Sequence, residues 1–509
     1  MVSPACGVDA KMGHMTAAAA PADEPQKAAA KNRRNRSLWR HRDFMMLWAG
    51  QAVSEIGSAV TIVALPLAAV VLLHATTFEV GLLAAAGTAC FLLVALPAGL
   101  IVDRFAKRRL MIACDVARML ILGSVVVAGA FGVLTMAQLF AVALLTGLAT
   151  VFFDVAYQSY VPGLIEREQL HDGNGKLGAT QAFAQVAGPG LGGALFGWLK
   201  SGAMAADAIS YGVSTVTLLL IRTMEPRRDP AAVTESSSGA TGFAGLRREL
   251  FAGLAFVFRH PVLRKIAACT ATANLFGSIS GALEIVFLVR VVHVRPADTG
   301  LLFSVGSLGG ILGGILSGRL AKWIGTARII WFSIAVFGAI PIVMPLTEPG
   351  WRLVLFPIAF AGLSFMVVVY NIAQLSYRQM ICPPYLLGRM NAAMRWIVWG
   401  TLPLGGLLGG VFGSVLGIRA TLWVGVVGSW ASALWVLFSP LRTMRDIGES
   451  QAAQEAEEAQ EAQEADRAVS GSAFSHAQDG EQDQNDRGDG EDAVGDDNRD
   501  GEVPLGRHS

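Results

Sequence analysis

The chain alternates between long apolar runs and short polar segments from about residue 44 to residue 441. Each run can cross the roughly 30 Å hydrocarbon core as an α-helix, because a span takes about 20 apolar residues. The pattern therefore predicts an all-α membrane protein with twelve transmembrane helices in two six-helix bundles. The expected helix limits are 44–73, 77–102, 109–131, 134–160, 176–199, 204–222, 262–292, 299–321, 328–346, 351–378, 388–417 and 420–441.

Charges in the connections predict the orientation. Basic residues crowd alternate connections, beginning with Lys107, Arg108 and Arg109 after the second run. Short loops rich in Lys and Arg are typical of the cytoplasmic side. We therefore expect a multi-pass protein of the plasma membrane with both chain ends in the cytoplasm. The connections between the basic ones hold few charges, which are His74, Lys200, Asp207, Arg295, Glu348, Arg352 and Arg419.

Polar segments divide the chain into five parts. We expect a disordered basic arm at 1–43, an N-terminal bundle at 44–222, a cytoplasmic linker at 223–261, a C-terminal bundle at 262–441 and a disordered acidic tail at 442–509. The end of the linker has apolar residues at helical spacing beside arginines, which predicts an amphipathic helix on the inner leaflet. These apolar residues are Leu246, Leu250, Leu254, Val257 and Phe258.

Composition excludes several classes of protein. The chain is 53% hydrophobic and 16% charged, and its basic residues are scattered among short loops, so we expect no nucleic-acid partner. Cys90, Cys114 and Cys269 fall inside apolar runs, without disulfide or metal-ligand spacing. No phosphate-binding loop, zinc spacing, catalytic triad or dinucleotide fingerprint occurs in the sequence. We therefore expect no enzymatic activity, no metal and no cofactor.

The stretch GLIVDRFAKRR, at 99–109, joins the second and third runs. Its charged side chains cannot lie in hydrocarbon, so one interpretation is an anchor that only fixes the topology. The pattern Gly-x-x-x-Asp-Arg-x-x-Lys-Arg-Arg also resembles the signature loop of the major facilitator superfamily. That resemblance implies a loop that gates the cytoplasmic side of a transporter. The residues concerned are Gly99, Asp103, Arg104, Lys107, Arg108 and Arg109.

A glycine-rich pattern, GPGLGG at 188–193, lies within the fifth run. A proline bends a helix, and glycines let a neighbouring helix approach closely. One interpretation is tight packing of this helix against its counterpart in the other half, near 405–410. The pattern also resembles the end of the antiporter motif in the superfamily's drug exporters, which implies an interface that opens and closes. The residues concerned are Gly188, Pro189, Gly192 and Gly193.

The two halves of the chain resemble each other. With a shift of about 217 residues, FDVAYQSY at 153–160 lies over YNIAQLSY at 370–377, and the glycine pair at 192–193 lies over that at 409–410. Copies with an even number of spans keep the same orientation, as in repeats related by an axis along the membrane normal. The alternative is chance similarity among glycine-rich helices.

Three carboxyl groups lie within apolar runs, where a charge is costly. They are Glu55, which is near Gln51, Asp154, and Glu284, which is near Asn274. We expect none of the three to have a partner in its own helix. Each must therefore face a water-filled cavity, meet a cation from another helix, or hold a proton. A carboxyl whose pKa changes with solvation suits proton-coupled transport, so these are candidates for proton coupling or for the substrate cavity.

Other side chains are weaker candidates for the same site. Asp115 and Arg118 are three residues apart in the third run, so they can pair on one helix face, which favours a structural role. Arg395 is expected to reach the inner surface or to pair with an acid. Several large apolar side chains could line a ligand cavity, with lipid contact or ordinary packing as the alternative. These are Met45, Met46, Phe91, Phe276, Phe287, Trp396 and Trp399.

Over residues 38–445 the chain resembles the bacterial exporter branch of the superfamily, which contains macrolide-efflux-type and enterobactin-exporter-type proteins. The segments that carry the resemblance are LPAGLIVDRFAKRR, FFDVAYQSYVPGLI, GNGKLGATQAFAQVAGPGLGG, DAISY and AGLAFVFRHPVLR. The resemblance implies the major facilitator fold, one central cavity, alternating access and export driven by the proton gradient. Two features depart from the family pattern. Residues 143–147 lack the arginine of many proton-coupled exporters, and Lys322 and Trp323 replace an acid and an arginine.

The sequence thus predicts a secondary active transporter in the lipid bilayer. It would export a lipophilic small molecule, such as a drug, a secondary metabolite or a siderophore, by proton antiport, and we expect it to be a monomer. Two alternatives stay open. One is an importer of a small metabolite with the same fold, and the other is a non-transporting membrane scaffold or sensor.

Overall fold

The computed structural model describes residues 38–102, 105–165, 169–222, 243–383 and 386–445. Regular structure in these residues is helical, and no strand occurs among them. Three predicted parts of the chain therefore lie wholly or partly outside the described residues. They are the basic arm up to residue 37, the linker at 223–242 and the acidic tail from residue 446.

The first half contains six long helices. Their limits are α1 Arg42–Leu67, α2 Thr77–Val102, α3 Lys107–Ala130, α4 Met136–Leu164, α5 Leu170–Leu199 and α6 Met204–Leu220. Side-chain caps start two of these helices. The Nδ1 atom of His41 accepts the Phe44 N–H at 3.1 Å before α1, and the Thr135 hydroxyl accepts the Gln138 N–H at 3.3 Å before α4.

The linker ends in one helix, and six further helices follow it. Their limits are α7 Phe243–Arg259, α8 Pro261–Gly281, α9 Pro296–Ile324, α10 Arg328–Val336, α11 Leu355–Ile381, α12 Leu387–Val415 and α13 Ile418–Ala431. Helix α8 is interrupted at Ala282 and Leu283, and it continues as Glu284–Val286 and a π-helical turn, Phe287–Val291. A 3-10 segment, Phe337–Leu346, extends α10.

Eleven helical stretches in the described residues are long and apolar enough to cross a membrane. One of them, Asp172–Leu220, contains both α5 and α6, which a 3-10 turn at Lys200–Ala203 separates. Counted as helices, the described residues therefore hold twelve spans, and the prediction of an all-α, multi-pass membrane protein is confirmed. The second span begins and ends where the apolar run predicted, whereas the fifth helix begins at Leu170 rather than at residue 176.

The helix bundle has two ends that differ in charge. We call the end with Lys107, Arg328 and Arg389 the basic end, because these residues lie in the first turns of α3, α10 and α12. We call the other end the opposite end. There, His74 and His293 both adopt the left-handed backbone region, with φ of 51° and 61°, at matching positions of the two halves. This match supports the internal repeat seen in the sequence.

Helix α7 lies against the basic end of α12. A Cβ added to Gly253 would come 2.3 Å from the carbonyl oxygen of Arg389, so the two backbones are in close contact. Val257 is fully buried, whereas Phe251 and Phe258 are exposed. A helix thus lies where the amphipathic helix is predicted, and its buried side packs on α12. The side chains of Leu246 and Leu250 lie outside the described residues.

Candidate functional site

An open cavity lies between the two halves, and its empty space of about 590 Å³ includes solvent at its mouth. The first half contributes Phe91 from α2 and Asp154 from α4, and the second contributes Arg395, Trp396 and Trp399 from α12. A cavity that combines aromatic rings with a few polar groups suits a small, largely apolar ligand. The structure thus brings together, from both halves, five side chains that the sequence analysis singled out separately.

Helices α2 and α12 contact each other through aromatic rings at this cavity. The ring centroids of Phe91 and Trp399 lie 4.8 Å apart, and the Arg395 guanidinium lies 5.3 Å from the Trp399 ring. Arg395 also donates from Nη1 to the Gln158 side-chain oxygen of α4 at 3.3 Å. The hydrogen-bond partner of Arg395 is therefore an amide of the other half, whereas the sequence suggested an acid or the inner surface.

Arg118 is the centre of a buried charged cluster in the first half. Its Nη2 atom pairs with Asp115 Oδ1, as the spacing in the sequence predicted, and the hydroxyl of Ser214 donates to Asp115 Oδ2 at 2.7 Å. The guanidinium lies 4.3 Å from the Phe153 ring and 4.2 Å from the Tyr211 ring. Because a cation between two aromatic faces is stabilised by both rings, this charge is tolerated although Arg118 is only 4% exposed.

Asp154 faces the central cavity in an environment of mixed charge. Arg118 and Arg395 attract its carboxylate, and Glu55 of α1 repels it. These attractions act beyond contact distance, because no ion pair of Asp154 with either arginine occurs among the described residues. Glu55 is half-buried, and its Oε1 accepts a hydrogen bond from Gln51 Nε2 at 3.0 Å. The expectation that Glu55 has no partner in its own helix is therefore wrong, because Gln51 lies one turn away.

Asp207 is a buried acid that the sequence analysis placed in a polar connection. It lies in the first turn of α6, is 1% exposed and accepts a hydrogen bond from Ser210 at 3.2 Å. A Cβ added to Gly57 of α1 would come 2.8 Å from Asp207 Oδ1, so only a glycine leaves room for this carboxyl. One helical turn further on, Tyr211 hydrogen-bonds to Ser58 at 2.9 Å. The sequence feature that could have indicated this buried acid is its position in the segment DAISY, at 207–211.

Glu284 lies apart from the central cavity. It follows the interruption of α8, is 7% exposed and lines a narrow cavity between α8, α10, α11 and α13. No donor or cation among the described residues contacts its carboxyl group. Asn274, which lies nearer the basic end of α8, donates from Nδ2 to the Val398 carbonyl at 3.1 Å. Thus Asn274 connects α8 to α12, and Glu284 does not.

The described part of the signature loop makes contacts within the first half. Arg108 donates to the carbonyls of Leu218 and Leu219 at 2.8 and 2.9 Å, and Lys107 donates to the Ser159 carbonyl at 3.4 Å. A cation is favourable at the carbonyl end of a helix, so Arg108 stabilises the end of α6. A Cβ added to Gly99 would meet no described atom within 4 Å, and Arg109 is exposed. Asp103 and Arg104, which the resemblance assigns to gating, lie outside the described residues.

The glycines at 188–193 pack on two different helices. A Cβ added to Gly188 or Gly192 would come 2.2 Å from the Ala59 Cβ or 2.7 Å from the Val60 carbonyl oxygen, both on α1. A Cβ added to Gly193 would instead come 2.7 Å from the backbone nitrogen of Gly300 on α9. The expected packing of this motif against 405–410 is therefore wrong, because that segment packs on α2 and α8.

Two glycine pairs bring the halves together at the opposite end. Gly81 of α2 lies against Gly410 of α12, and Gly193 of α5 lies against Gly300 of α9. The pairs occupy matching positions in the repeat, because Gly81 corresponds to Gly300 and Gly410 to Gly193. A hydrogen-bonded contact adds to them, since Arg290 after α8 donates to the Ala75 carbonyl after α1 at 2.6 Å. The cavity is thus closed at the opposite end.

Comparison with known proteins shows the family. Residues 36–471 match the major facilitator family described as transmembrane secretion effectors. The chain belongs to this family. The resemblance to exporters of the major facilitator superfamily is thereby confirmed, and with it the expectation of a membrane transporter.

Individual relatives agree with the family. The multidrug efflux pump Tap of Mycolicibacterium fortuitum is 27% identical over 386 residues, which cover 72% of this chain and 88% of that protein. Macrolide efflux protein A of Streptococcus pyogenes is 25% identical over 393 residues, covering 74% and 90%. The crystal structure of a bacterial homologue of the iron transporter ferroportin in an inward-facing state has a TM-score of 0.61 at 14% identity, covering 79% of this chain and 98% of that one. This structural similarity confirms the major facilitator fold.

Proposed function

We propose that the protein exports a lipophilic small molecule by proton antiport and works as a monomer with its basic end in the cytoplasm. The observation that carries this proposal is the central cavity, because both halves line it and the opposite end is closed. A binding site at the interface of two repeats is what alternating access requires, since rocking of the halves exposes the site to each side in turn.

The charges support the orientation of the basic end. Loops rich in Lys and Arg favour the cytoplasm, and Lys107, Arg328 and Arg389 lie at this end. Near it, Gly99 on α2 and Gly318 on α9 have no described heavy atom within 4 Å of an added Cβ. Because the opposite end is closed, we propose that this is an inward-facing form, which accepts a molecule from the cytoplasm.

The cavity chemistry supports the substrate class. Phe91, Trp396 and Trp399 offer flat apolar surfaces, and Asp154 offers a carboxylate beside the Arg395 guanidinium. An aromatic cavity with one acid and one base favours a flat or ring-containing molecule that carries an amine or several polar oxygens. The relatives are a multidrug efflux pump and a macrolide efflux protein, and a macrolide antibiotic has this chemistry.

Export can be tested in inverted membrane vesicles, whose interior corresponds to the cell exterior. We would measure the uptake of radiolabelled erythromycin and of ethidium with and without an acidic interior. The proposal expects uptake that depends on the acidic interior and stops when a protonophore is added. Asp154→Asn should lower this uptake, whereas the matched variant Asp172→Asn should not, because Asp172 is exposed and pairs only with Lys176 in the described structure.

Other outcomes would favour the alternatives. Uptake into right-side-out vesicles but not into inverted ones would indicate an importer. Absence of gradient-dependent movement of both probes in both vesicle types would contradict export and favour a scaffold. A pair of purified, differently tagged copies that co-purify from detergent would contradict the monomer.

A further inference from the structure

We infer that Glu284 carries the coupling proton, in a water-sized cavity inside the second half that is separate from the substrate cavity. This inference rests on the proposed proton antiport. Substrate binding and proton binding would then take place at two different sites. The cavity between the halves binds the substrate, and a buried carboxyl in the second half binds the proton.

The first observation is the isolation of the Glu284 carboxyl. The residue is 7% exposed, and in the described residues no hydrogen-bond donor or cation contacts it. Apart from Ser429 of α13, the surrounding side chains from α10 with its 3-10 extension, α11 and α13 are apolar, including Met344, Met366 and Trp430, and none of these groups titrates near neutral pH. A lone carboxylate in such surroundings is costly, so the group is neutral and protonated in this inward-facing form.

The nearby cations are held elsewhere. Arg290, in the π-helical turn beyond Glu284, donates to the Ala75 and Val70 carbonyls of the first half at 2.6 and 3.4 Å. Arg419, at the start of α13, lies 3.4 Å from a Glu348 oxygen and 3.3 Å from the Thr347 carbonyl. Neither guanidinium therefore neutralises Glu284 in this form, and a proton is the remaining way to remove its charge.

The second observation is the size and lining of the narrow cavity. The space beside Glu284 admits water but no drug-sized molecule. The hydroxyls of Ser280 and Ser429 also line it, and each donates its hydrogen to a backbone carbonyl, of Gly277 and Ala273 respectively. Their oxygens are thus available as acceptors. A water molecule here would have the acid and two hydroxyl oxygens as partners, which suffices for an ordered water that relays a proton.

The third observation connects Glu284 to the opposite end. Val291, the end of the π-helical turn, comes seven positions after Glu284, which is about 10 Å along a helix. The same segment contains Arg290, which bonds to the first half. When the halves separate at the opposite end, this contact breaks and the segment with Glu284 is released toward the outside. The carboxyl can then exchange its proton with external water.

The proton leaves toward the cytoplasm along α8. From Glu284, the face of α8 leads through Ser280 and Gly277 to Asn274, whose amide bonds to the Val398 carbonyl of α12. Val398 adjoins Trp399 of the substrate cavity. Transfer of the proton from the Glu284 carboxyl to water on this face leaves a carboxylate, and substrate binding beside Trp399 is placed to favour that step.

Infrared spectroscopy of the purified protein tests this assignment without any substrate. The wild-type protein at neutral pH should show the carbonyl stretch of a buried protonated carboxylic acid, and Glu284→Gln should lack that band. Glu284→Asp should show a shifted band. Identical spectra for wild type and Glu284→Gln would overturn the inference. Asp298→Asn is the matched control, because the Asp298 side chain is 45% exposed and pairs with Arg295, and it should keep the wild-type band.

Transport separates this inference from the proposed function. In inverted vesicles with radiolabelled erythromycin, Glu284→Gln should lose the stimulation by an acidic interior but keep the exchange of internal for external erythromycin. Asp298→Asn should keep both. If wild type itself ignores the gradient, proton antiport is wrong, whatever the spectra show. If wild type is coupled and Glu284→Gln is equally coupled, the antiport proposal stands and the assignment of Glu284 is wrong.

Discussion

Gly81 of the first half and Gly410 of the second half touch backbone to backbone at the opposite end. A Cβ added to Gly81 would come 2.3 Å from the Gly410 Cα, well inside contact distance. The pair formed by Gly193 and Gly300 repeats this arrangement on the other side of the interface. Closure at this end therefore depends on the absence of side chains at four positions.

The first prediction concerns this closure. Gly81→Ala should disfavour the closed opposite end, because overpacking at a tight contact costs about 1–3 kcal/mol. A cost of that size shifts a two-state equilibrium by about 5- to 150-fold. Spin labels at the exposed positions Val133 and Trp351 should report a longer distance in the variant. Gly87→Ala, on the same helix, is the control, since an added Cβ there meets no described atom within 4 Å. An unchanged distance in Gly81→Ala would contradict the role of the pair.

The second prediction concerns Arg290. Arg290→Gln should weaken closure of the same end, because hydrogen bonds from a charged group contribute about 1.5–3 kcal/mol each. The same spin-label pair should then show a larger open population, and gradient-driven export should slow. Arg295→Gln provides the comparison, because the Arg295 side chain is 84% exposed and pairs with Asp298. Equal behaviour of the two variants would show that the contact with Ala75 is incidental.

The third prediction concerns the stability of the first half. Asp115→Asn should lower stability by about 3–5 kcal/mol, because it leaves the buried Arg118 charge without its carboxylate. The thermal unfolding temperature in detergent should fall clearly, and adding Arg118→Met to Asp115→Asn should restore part of it. Asp172→Asn breaks an exposed ion pair, which contributes at most about 1 kcal/mol. If both single variants unfold alike, the buried cluster is not what stabilises this half.

The fourth prediction concerns the substrate cavity. Trp399→Ala removes the ring that contacts both Phe91 and Arg395, so erythromycin binding should weaken by at least about tenfold, equal to a loss of roughly 1.4 kcal/mol. Equilibrium binding to purified protein measures this change. Trp323→Ala is a suitable control, because Trp323 is 78% exposed and lies near the basic end. Unchanged affinity in Trp399→Ala would place the binding site elsewhere.

The fifth prediction concerns pH and the start of α8. His260 Nδ1 accepts the N–H groups of Val262 and Leu263 at 3.3 and 3.2 Å, which requires a neutral ring. Burial lowers the pKa of His260 in the folded protein. Its cap therefore stabilises the fold fully above the unfolded-state pKa, and this stabilisation is lost as pH falls through the lower, folded-state pKa.

Asn can cap a helix without titrating in this range, so His260→Asn should keep most of the stability and remove this pH dependence. His260→Ala should cost about 1 kcal/mol at neutral pH. Thermal unfolding of the three proteins across mildly acidic pH compares them. Parallel curves for wild type and His260→Asn would show that the ring does not act through its charge.

The sequence predicts those features that depend on positions close together in the chain. The helix limits follow from hydropathy, and the pairing of Asp115 with Arg118 follows from a spacing of three residues. The same logic could have predicted the bond from Gln51 to Glu55. By contrast, the rings that enclose Arg118 come from α4 and α6, at Phe153 and Tyr211, and no local pattern links them to it.

Contacts between helices were the main source of error. The glycines at 188–193 suggested a close neighbour, but periodicity alone could not show that α1 and α9 are the helices that use them. Likewise, Asp207 looked like a loop residue because it begins a helix, and its burial depends on the small size of Gly57. Phe276 and Phe287 do not line the central cavity, because its lining comes from α2, α4 and α12. The sequence alone does not show which helices face the interface between the halves.

The packing of α7 on α12 determines where the chain could be split into two separately expressed polypeptides. Because Gly253 holds α7 against Arg389, that helix belongs physically to the second half although it precedes α8. A protein made as two separate polypeptides should therefore be cut within 223–242, ahead of Phe243. Such a cut gives each fragment six spans and keeps α7 in the same fragment as α12. A cut after Arg259 would instead separate α7 from the helix on which it packs.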